Sequence, residues 1–285
     1  MGADHLGCSK QTKQKLVVSP LHTDNRSPTT NMATTSARPG VHIREDGKKV
    51  LIPLENSPEV FTDLIHRLGI SPELGFYDIY SIDEPDLLAM VPRPCHAIIF
   101  ISPADVWHRV RDTHDTGSKE LTYDGSGGDE PVIWFKQTIG NACGLYSLIH
   151  AVGNGSAQQF VQPGSLISKL LTEAEPLKPL PRADVLYNSE ELEKAHMASA
   201  VKGDSKAPDA AERCGYHFIT FVKGKDGQLY EMEGGWNGPI ARGALEEHED
   251  CLSERAVELG VRKYLREAQG NTEFSMVALA TRPEE

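Results

Sequence analysis

The strongest structural signal in the chain lies in residues 136–152, KQTIGNACGLYSLIHAV. Four apolar residues recur there at i, i+3, i+4 and i+7, the spacing of a helix with one buried face: Leu145, Leu148, Ile149 and Val152. Asn141 has a side chain suited to cap the first turn, and Gly153 is suited to end the helix. The pattern predicts a core helix whose first turn contains Cys143.

Cys143 occupies a position that favours a nucleophilic thiolate. The first turn of a helix offers unpaired N–H groups and the positive end of the helix dipole. Gln137, six residues upstream, has a side-chain amide that could form an oxyanion hole together with the backbone N–H of Cys143. Gly144 would leave room for a substrate backbone. The alternative for a single cysteine is a buried residue that acts as a small hydrophobe.

A nucleophilic cysteine needs a general base, and His217 is the histidine that fits. His150 lies seven residues along the same helix, roughly 10 Å of rise, which is too far for a hydrogen bond. His96 follows Cys95 at the start of a strand that is predicted to be buried. His217 lies in the first strand of a hairpin predicted over residues 216–233.

Glu233 is predicted to orient the His217 ring. If the hairpin turn centres on Lys225, positions 217 and 233 lie opposite each other and face the same side of the sheet. A two-residue turn at 226–227 would shift this register, so the pairing depends on the turn. Glu231 is the alternative acid, because it shares the same strand face.

Several further elements follow from local patterns. Ser57 and Pro58 have the residue types of a helix start, and an apolar stripe then runs to Gly69. Short strands are predicted in four places: residues 50–52, 76–82, 95–101 and 274–280. Polar, glycine-rich residues predict a loop over 112–130.

Composition restricts the partners and the compartment. The chain has 41 acidic and 29 basic side chains, a formal net charge of -12, which argues against nucleic-acid binding and suits a basic partner. The five cysteines form no CxxC pair, so we expect no metal, no cofactor and a reducing compartment. No segment is apolar enough to span a bilayer and no secretory signal is present. We therefore expect a cytoplasmic protein, with the nucleus as the other possibility, and no membrane partner.

The chain divides into a tail and one domain. Residues 1–39 are rich in Ser, Thr, Lys, Gln and Asn and predict a flexible tail, in which Met32 is a possible alternative start. Residues 40–285 are predicted to form a single catalytic domain. Within it, the segment that begins at Glu193 and ends at Arg213 has few large apolar residues, which predicts a long functional loop.

These residues resemble the ubiquitin C-terminal hydrolases. Four stretches carry the likeness: residues 137–152 with the QTIGNACG and LIHAV segments, 216–219 (YHFI), 226–233 around DG and LYE, and 53–60 (PLENSPEV). The resemblance covers roughly residues 49–281 and is closest to the short members without a C-terminal extension. It implies an α+β fold: a papain-like cysteine protease core, with a mostly antiparallel central sheet flanked by helices in an α-β-α arrangement and a threaded backbone.

The resemblance also implies a mechanism and a partner. Cys143 would attack the carbonyl after the terminal glycine of ubiquitin, Gln137 would hold the oxyanion, and His217 would move the proton. The loop over 193–213 matches the position of the family's crossover loop, which limits leaving groups to small or unfolded adducts. We expect a monomer that hydrolyses ester, thioester, amide and peptide bonds to ubiquitin.

Glu233 departs from the family pattern, which usually has Asp, and one extra residue separates it from His217. A longer carboxylate arm on a shifted strand could still orient the imidazole. Two alternatives stay open on the sequence. One is a catalytically inactive ubiquitin-binding module, and the other is the same chemistry on a ubiquitin-like modifier.

Overall fold

The computed structural model describes residues 40–203 and 215–283, so the predicted tail over 1–39 lies outside the described residues. The described strands are, in chain order, β1 (Val41–Ile43), β2 (Lys49–Leu51), β3 (Leu74–Asp78), β4 (Cys95–Pro103), β5 (Tyr216–Lys223), β6 (Gln228–Met232), β7 (Ile240–Ala244) and β8 (Ser275–Thr281). The described α-helices are α1 (Pro58–Leu68), α2 (Pro85–Leu88), α3 (Ala104–Thr113), α4 (Cys143–Val152), α5 (Leu166–Ala174), α6 (Pro179–Asn188), α7 (Glu190–Ala200), α8 (Glu254–Leu259) and α9 (Val261–Arg266).

A six-stranded antiparallel sheet in the order β3-β8-β4-β5-β6-β7 forms the centre of the fold. Strand β4 is buried along its whole length, as its continuous apolar run predicts. Its side chains alternate between two apolar clusters. Ile99 packs with α1 and α4 on one side, and Phe100 packs with α3, α8 and α9 on the other. This α-β-α arrangement confirms the predicted α+β papain-like fold, while the threading of the backbone stays a prediction.

Helix α1 forms as its local signals predict. The Ser57 side chain accepts a hydrogen bond from the Val60 N–H, and Pro58 occupies the first turn. Gly69 ends the helix in the left-handed conformation, with a φ of 96°. The apolar stripe between these caps is fully buried, so this helix anchors one side of the sheet.

The loop predicted over residues 112–130 is partly helical. Residues 112–113 still belong to α3, and residues 116–120 form a short 3-10 helix rather than part of a loop. Residues 132–135 follow this loop and belong to no described strand, and side chains satisfy part of their backbone. Asn154 Oδ1 accepts from the Ile133 N–H at 2.7 Å, and His150 Nε2 accepts from the Phe135 N–H at 3.0 Å.

The predicted crossover loop begins later than its sequence indicates. Residues 193–200 belong to α7, and residues 204–214 lie outside the described residues. The helix was missed because its buried face is largely polar. Glu193 pairs with Lys49 at 3.1 Å, His196 Nε2 bonds the Ile52 carbonyl at 2.8 Å, and Ser199 donates to Asp63 at 2.7 Å.

Strand β2 secures the segment that leads to Cys143. The Leu51 N–H donates to the Gly140 carbonyl at 3.0 Å, and the Gly140 N–H donates to the Lys49 carbonyl at 2.8 Å. These two bonds form a parallel bridge between β2 and the residues just before α4. The start of α4 is therefore tied to the N-terminal side of the domain.

His150 lies inside α4 as a structural residue, as predicted, and it makes stability depend on pH. It is fully buried, and burial lowers the pKa of His150 to about 3. In the unfolded chain a histidine has a pKa of about 6.5. Between these values only the unfolded state binds the proton, so the free energy of unfolding falls as pH falls from about 6.5 to 3, by up to about 1.4 kcal/mol per unit.

We expect His150→Gln to remove this contribution to the slope. Urea unfolding at pH 7, 6, 5 and 4 measures it, and the slope of the unfolding free energy against pH should flatten by about 1 kcal/mol per unit. His42→Gln, at an exposed histidine, is the matched control and should keep the wild-type slope. A wild-type slope in His150→Gln would contradict the assignment.

Candidate active site

Cys143 is the first residue of α4 and is half-buried. The predicted cap at Asn141 is wrong. Ala142 occupies the cap position without a side-chain hydrogen bond, while Asn141 has a φ of 54° in the left-handed region, which Asn tolerates better than most residues. Cys143 therefore lies at the N-terminal end of α4, which carries the positive end of the helix dipole.

Gly144 packs the start of α4 against its neighbours. A Cβ at this position would lie 3.4 Å from atoms of Leu54 and Phe218. These are ordinary van der Waals distances, so the Cβ direction of Gly144 faces protein side chains. The prediction that Gly144 leaves room for a substrate backbone stays a prediction.

Gln137 lies on the approach to α4 and connects it to the end of the hairpin. Its backbone N–H donates to the Gly234 carbonyl at 2.8 Å. Its side-chain Nε2 donates to the Ile139 carbonyl at 3.0 Å, which uses one of the two amide hydrogens. The backbone of Gln137 is thus tied to the residue after Glu233, and its side chain is tied to the loop that leads to Cys143.

Two more contacts join residues 134–137 to residues 233–236. The Trp134 Nε1–H donates to the Glu233 carbonyl at 3.2 Å, and Lys136 Nζ donates to the Trp236 carbonyl at 2.6 Å. Burial lowers the pKa of Lys136, against the opposing effect of the Glu233 charge. The segment with the predicted oxyanion donor and the segment with the predicted acid are therefore fixed to each other.

His217 and Glu233 lie together, as predicted, at a different register. The hairpin pairs Thr220 with Met232, so its turn centres on Asp226 instead of Lys225. Strand β6 ends at Met232, and Glu233 lies just beyond it, diagonal to His217. The distance from His217 Nδ1 to Glu233 Oε1 is 3.6 Å, which is an ion-pair distance when the ring is protonated and slightly too long for a hydrogen bond.

The Glu233 carboxylate is buried, with 5% of the residue exposed, whereas the His217 side chain is 28% exposed. Glu233 Oε1 also accepts from the Gly235 N–H at 3.1 Å. The other oxygen, Oε2, has no hydrogen-bond partner in the described part of the chain. The acid therefore has bonding capacity left for the imidazole.

Glu231 is not available as the alternative acid. It is 1% exposed and accepts hydrogen bonds from three side chains: Arg111, Arg242 and Tyr264. Burial raises the pKa of Glu231, but Arg111 and Arg242 outweigh burial and bring it to about 2. Its charge is therefore neutralised by the two arginines inside the core, and it cannot orient His217.

An aromatic cluster behind His217 was missed from the sequence. The His217 and Trp107 rings are stacked, with centroids 4.1 Å apart and planes 7° apart. The Trp236 ring meets Trp107 edge-on at 5.1 Å. Trp107 lies in an amphipathic helix, where an aromatic residue ordinarily indicates only core packing, so no sequence signal marks it.

No group of His, Cys, Asp and Glu that could hold a metal ion occurs among residues 40–203 and 215–283. The predicted absence of a metal and of a cofactor stays a prediction.

Comparison with known proteins identifies related sequences. The family model described as ubiquitin carboxyl-terminal hydrolase, family 1, matches residues 51–266. The chain is 31% identical over 243 residues to ubiquitin carboxyl-terminal hydrolase YUH1 of Saccharomyces cerevisiae, covering 82% of this chain and 97% of the yeast protein. It is 33% identical over 233 residues to isozyme L1 of Homo sapiens, covering 80% of this chain and 97% of the human protein.

The fold is also similar to that of a solved structure. The Trichinella spiralis UCH37 catalytic domain bound to ubiquitin vinyl methyl ester aligns with a TM-score of 0.60 and 21% identity. The alignment covers 81% of this chain and 95% of that one. At this identity the likeness concerns the fold.

Proposed function

Because the chain belongs to the ubiquitin C-terminal hydrolase family and is a cysteine-type ubiquitin hydrolase, we propose that its catalysis is carried by Cys143, His217, Glu233 and Gln137. The observation that carries this assignment is the placement of Glu233 beside His217, with Gln137 bonded to Gly234 on the approach to Cys143. Nucleophile, base, acid and oxyanion donor are the four groups that acyl transfer requires.

In the proposed mechanism, the Cys143 thiolate attacks the carbonyl carbon of the last ubiquitin glycine. The resulting oxyanion accepts from the Cys143 N–H and from the second Nε2–H of Gln137. Glu233 faces His217 Nδ1, which leaves Nε2 to give its proton to the leaving group. His217 then deprotonates a water molecule, which attacks the thioester carbonyl. The Cys143 thiolate leaves as the C–S bond breaks, and the C-terminal carboxylate of ubiquitin is released.

We propose ubiquitin as the bound partner, with a ubiquitin-like modifier as the alternative. Two solved structures with a similar fold are Trichinella spiralis UCH37 proteins bound to ubiquitin vinyl methyl ester. The formal net charge of -12 favours encounter with a basic partner.

We propose that leaving groups are small or unfolded. The connection from α7 to β5 rejoins the described chain at residue 215, two residues before His217. Residues 193–213 match the position of the crossover loop that limits leaving groups in the family that the sequence resembles. We infer that the same restriction holds here, and that it excludes a folded adduct more strongly than a dye or a short peptide.

Several other expectations stay predictions. We propose that residues 40–285 form one catalytic domain, that the protein acts as a monomer, and that it acts in the cytoplasm or nucleus without a nucleic-acid partner. Among the helices of the described residues, none has the length and apolar character needed to cross a membrane.

The test of this function is a panel of ubiquitin C-terminal adducts: a fluorescent amine, a ten-residue peptide and a folded domain. We expect similar kcat/KM for the first two and a value at least about tenfold lower for the third, since exclusion affects only the folded adduct. Deleting residues 205–210 should lower peptide turnover below that of the full-length protein without slowing release of the dye, which is the internal control. Better cleavage of the folded domain by the deletion variant would contradict the proposed restriction.

The same dye on a ubiquitin-like modifier tests the choice of partner. We expect turnover of the ubiquitin adduct to exceed that of the modifier adduct. The reverse order would move the substrate to the modifier. Absence of turnover on both, with ubiquitin binding intact, would identify an inactive binding module.

A further inference from the structure

We propose that Trp107 is a positioning residue for His217, and that its indole face holds the imidazole ring in the plane required for proton transfer. The inference rests on the proposed catalytic role of His217. It adds a residue outside the four catalytic groups, on a helix that lies on the other side of the sheet from α4.

The geometry of the two rings supports this role. They are nearly parallel, with planes 7° apart and centroids 4.1 Å apart. A face-to-face contact of this kind restricts rotation of the imidazole out of its plane, and an indole face also attracts an imidazolium cation. Trp107 is 4% exposed, so its ring is shielded from solvent.

The acid alone fixes His217 weakly. The distance of 3.6 Å from Nδ1 to Glu233 Oε1 exceeds that of a hydrogen bond, so the carboxylate attracts one edge of the ring without fixing its plane. His108 contributes only an edge contact at 6.1 Å, on the same helix as Trp107. The broad contact with Trp107 therefore supplies the constraint that a close acid would supply in a tighter triad.

Trp107 also contacts a buried arginine. The Arg111 guanidinium lies 4.9 Å from the Trp107 ring and 5.3 Å from the Trp236 ring. Arg111 is buried and paired with Asp115 at 2.7 Å and with Glu231. A chain of contacts thus runs from the buried ion pairs through Arg111 and Trp107 to His217.

The indole N–H of Trp107 lowers the stability of the fold. Trp107 Nε1 is buried and has no hydrogen-bond partner among the described residues. A buried donor without a partner is destabilising, and a phenylalanine would fill much of the same space without one. The indole contributes a larger face to His217 than a phenyl ring does, which is what the proposed role requires.

The test compares Trp107→Leu with Trp107→Phe. In Trp107→Leu we expect kcat for the ubiquitin dye substrate to fall about tenfold to a hundredfold while KM stays within about twofold, because ring placement and not binding is lost. Trp107→Phe keeps an aromatic face and should recover kcat to within about threefold of wild type. Phe100→Leu is the matched control, since Phe100 belongs to the same apolar cluster but packs on Tyr264 and Phe274. It should keep the wild-type kcat.

A second readout does not depend on turnover. The ring current of Trp107 should shift the carbon-bound proton resonances of the His217 imidazole upfield in the wild type, and Trp107→Leu should abolish the shift. Wild-type resonances without the shift would overturn the inference even if the leucine variant fails to fold. So would an unchanged kcat in folded Trp107→Leu, or a phenylalanine variant no more active than leucine. A wild type that shows the shift but no turnover would instead overturn the proposed catalytic function.

Discussion

Cys143→Ala is expected to lower kcat for the ubiquitin dye substrate by roughly 10⁴-fold or more, in the range found when a catalytic nucleophile is removed. Only the nucleophilic sulfur is lost, because the substitution leaves the backbone at the start of α4 unchanged. The dissociation constant for ubiquitin should therefore change by less than about twofold. Dye release and binding to immobilised ubiquitin measure the two quantities.

Cys251→Ala is the matched control for this variant. Burial raises the pKa of Cys251 to about 12, and its thiol donates to the His96 carbonyl at 3.1 Å. This thiol stays protonated at neutral pH and has no role in catalysis, so turnover should remain at the wild-type level. Ubiquitin vinyl methyl ester should form a covalent adduct with the wild type and with Cys251→Ala but not with Cys143→Ala. Turnover near wild type in Cys143→Ala would contradict the assignment of the nucleophile.

Local sequence signals predict the elements that local interactions stabilise. Helix α1 needs only Ser57, Gly69 and its apolar stripe, and all of these act within the helix. Strand β4 needs only its apolar run. The placement of His217 beside Glu233 also follows from two adjacent strands and a short turn.

Non-local interactions account for what the sequence does not predict. Helix α7 is stabilised by polar contacts to Lys49, Ile52 and Asp63, all more than a hundred residues away in the chain. The same holds for the stack of Trp107 on His217, because no periodic pattern links α3 to β5. The predicted hairpin register was wrong for a different reason. The register depends on the turn geometry around Asp226, and residue types alone do not determine that geometry.

Glu231 and Glu233, two residues apart, should respond in opposite ways to alanine substitution. Glu231→Ala leaves Arg111 and Arg242 buried without the carboxylate that joins them, which should cost about 3–5 kcal/mol of unfolding free energy. For a domain of this size each kcal/mol corresponds to about 2–4 °C, so the midpoint of thermal unfolding should fall by roughly 10 °C. Glu233→Ala should leave this midpoint within a few degrees, because its carboxylate makes one ion pair and one backbone hydrogen bond.

For turnover we expect the opposite order, with the larger loss in Glu233→Ala. Glu233→Ala should lower kcat about a hundredfold or more, since the His217 ring loses the charge that sets its tautomer and supports the imidazolium. Folded Glu231→Ala, assayed well below its unfolding midpoint, should keep kcat within about tenfold, because Glu231 reaches His217 only through Arg111 and Trp107. A Glu231→Ala protein with a wild-type unfolding midpoint and a hundredfold lower kcat would assign the orienting acid to Glu231 instead. The expected pattern requires that the Glu231 carboxylate stabilises the core and that the Glu233 carboxylate supports the reaction. Their hydrogen bonds already differ in this way, since Glu231 accepts from Tyr264 in the core whereas Glu233 Oε2 has no partner among the described residues.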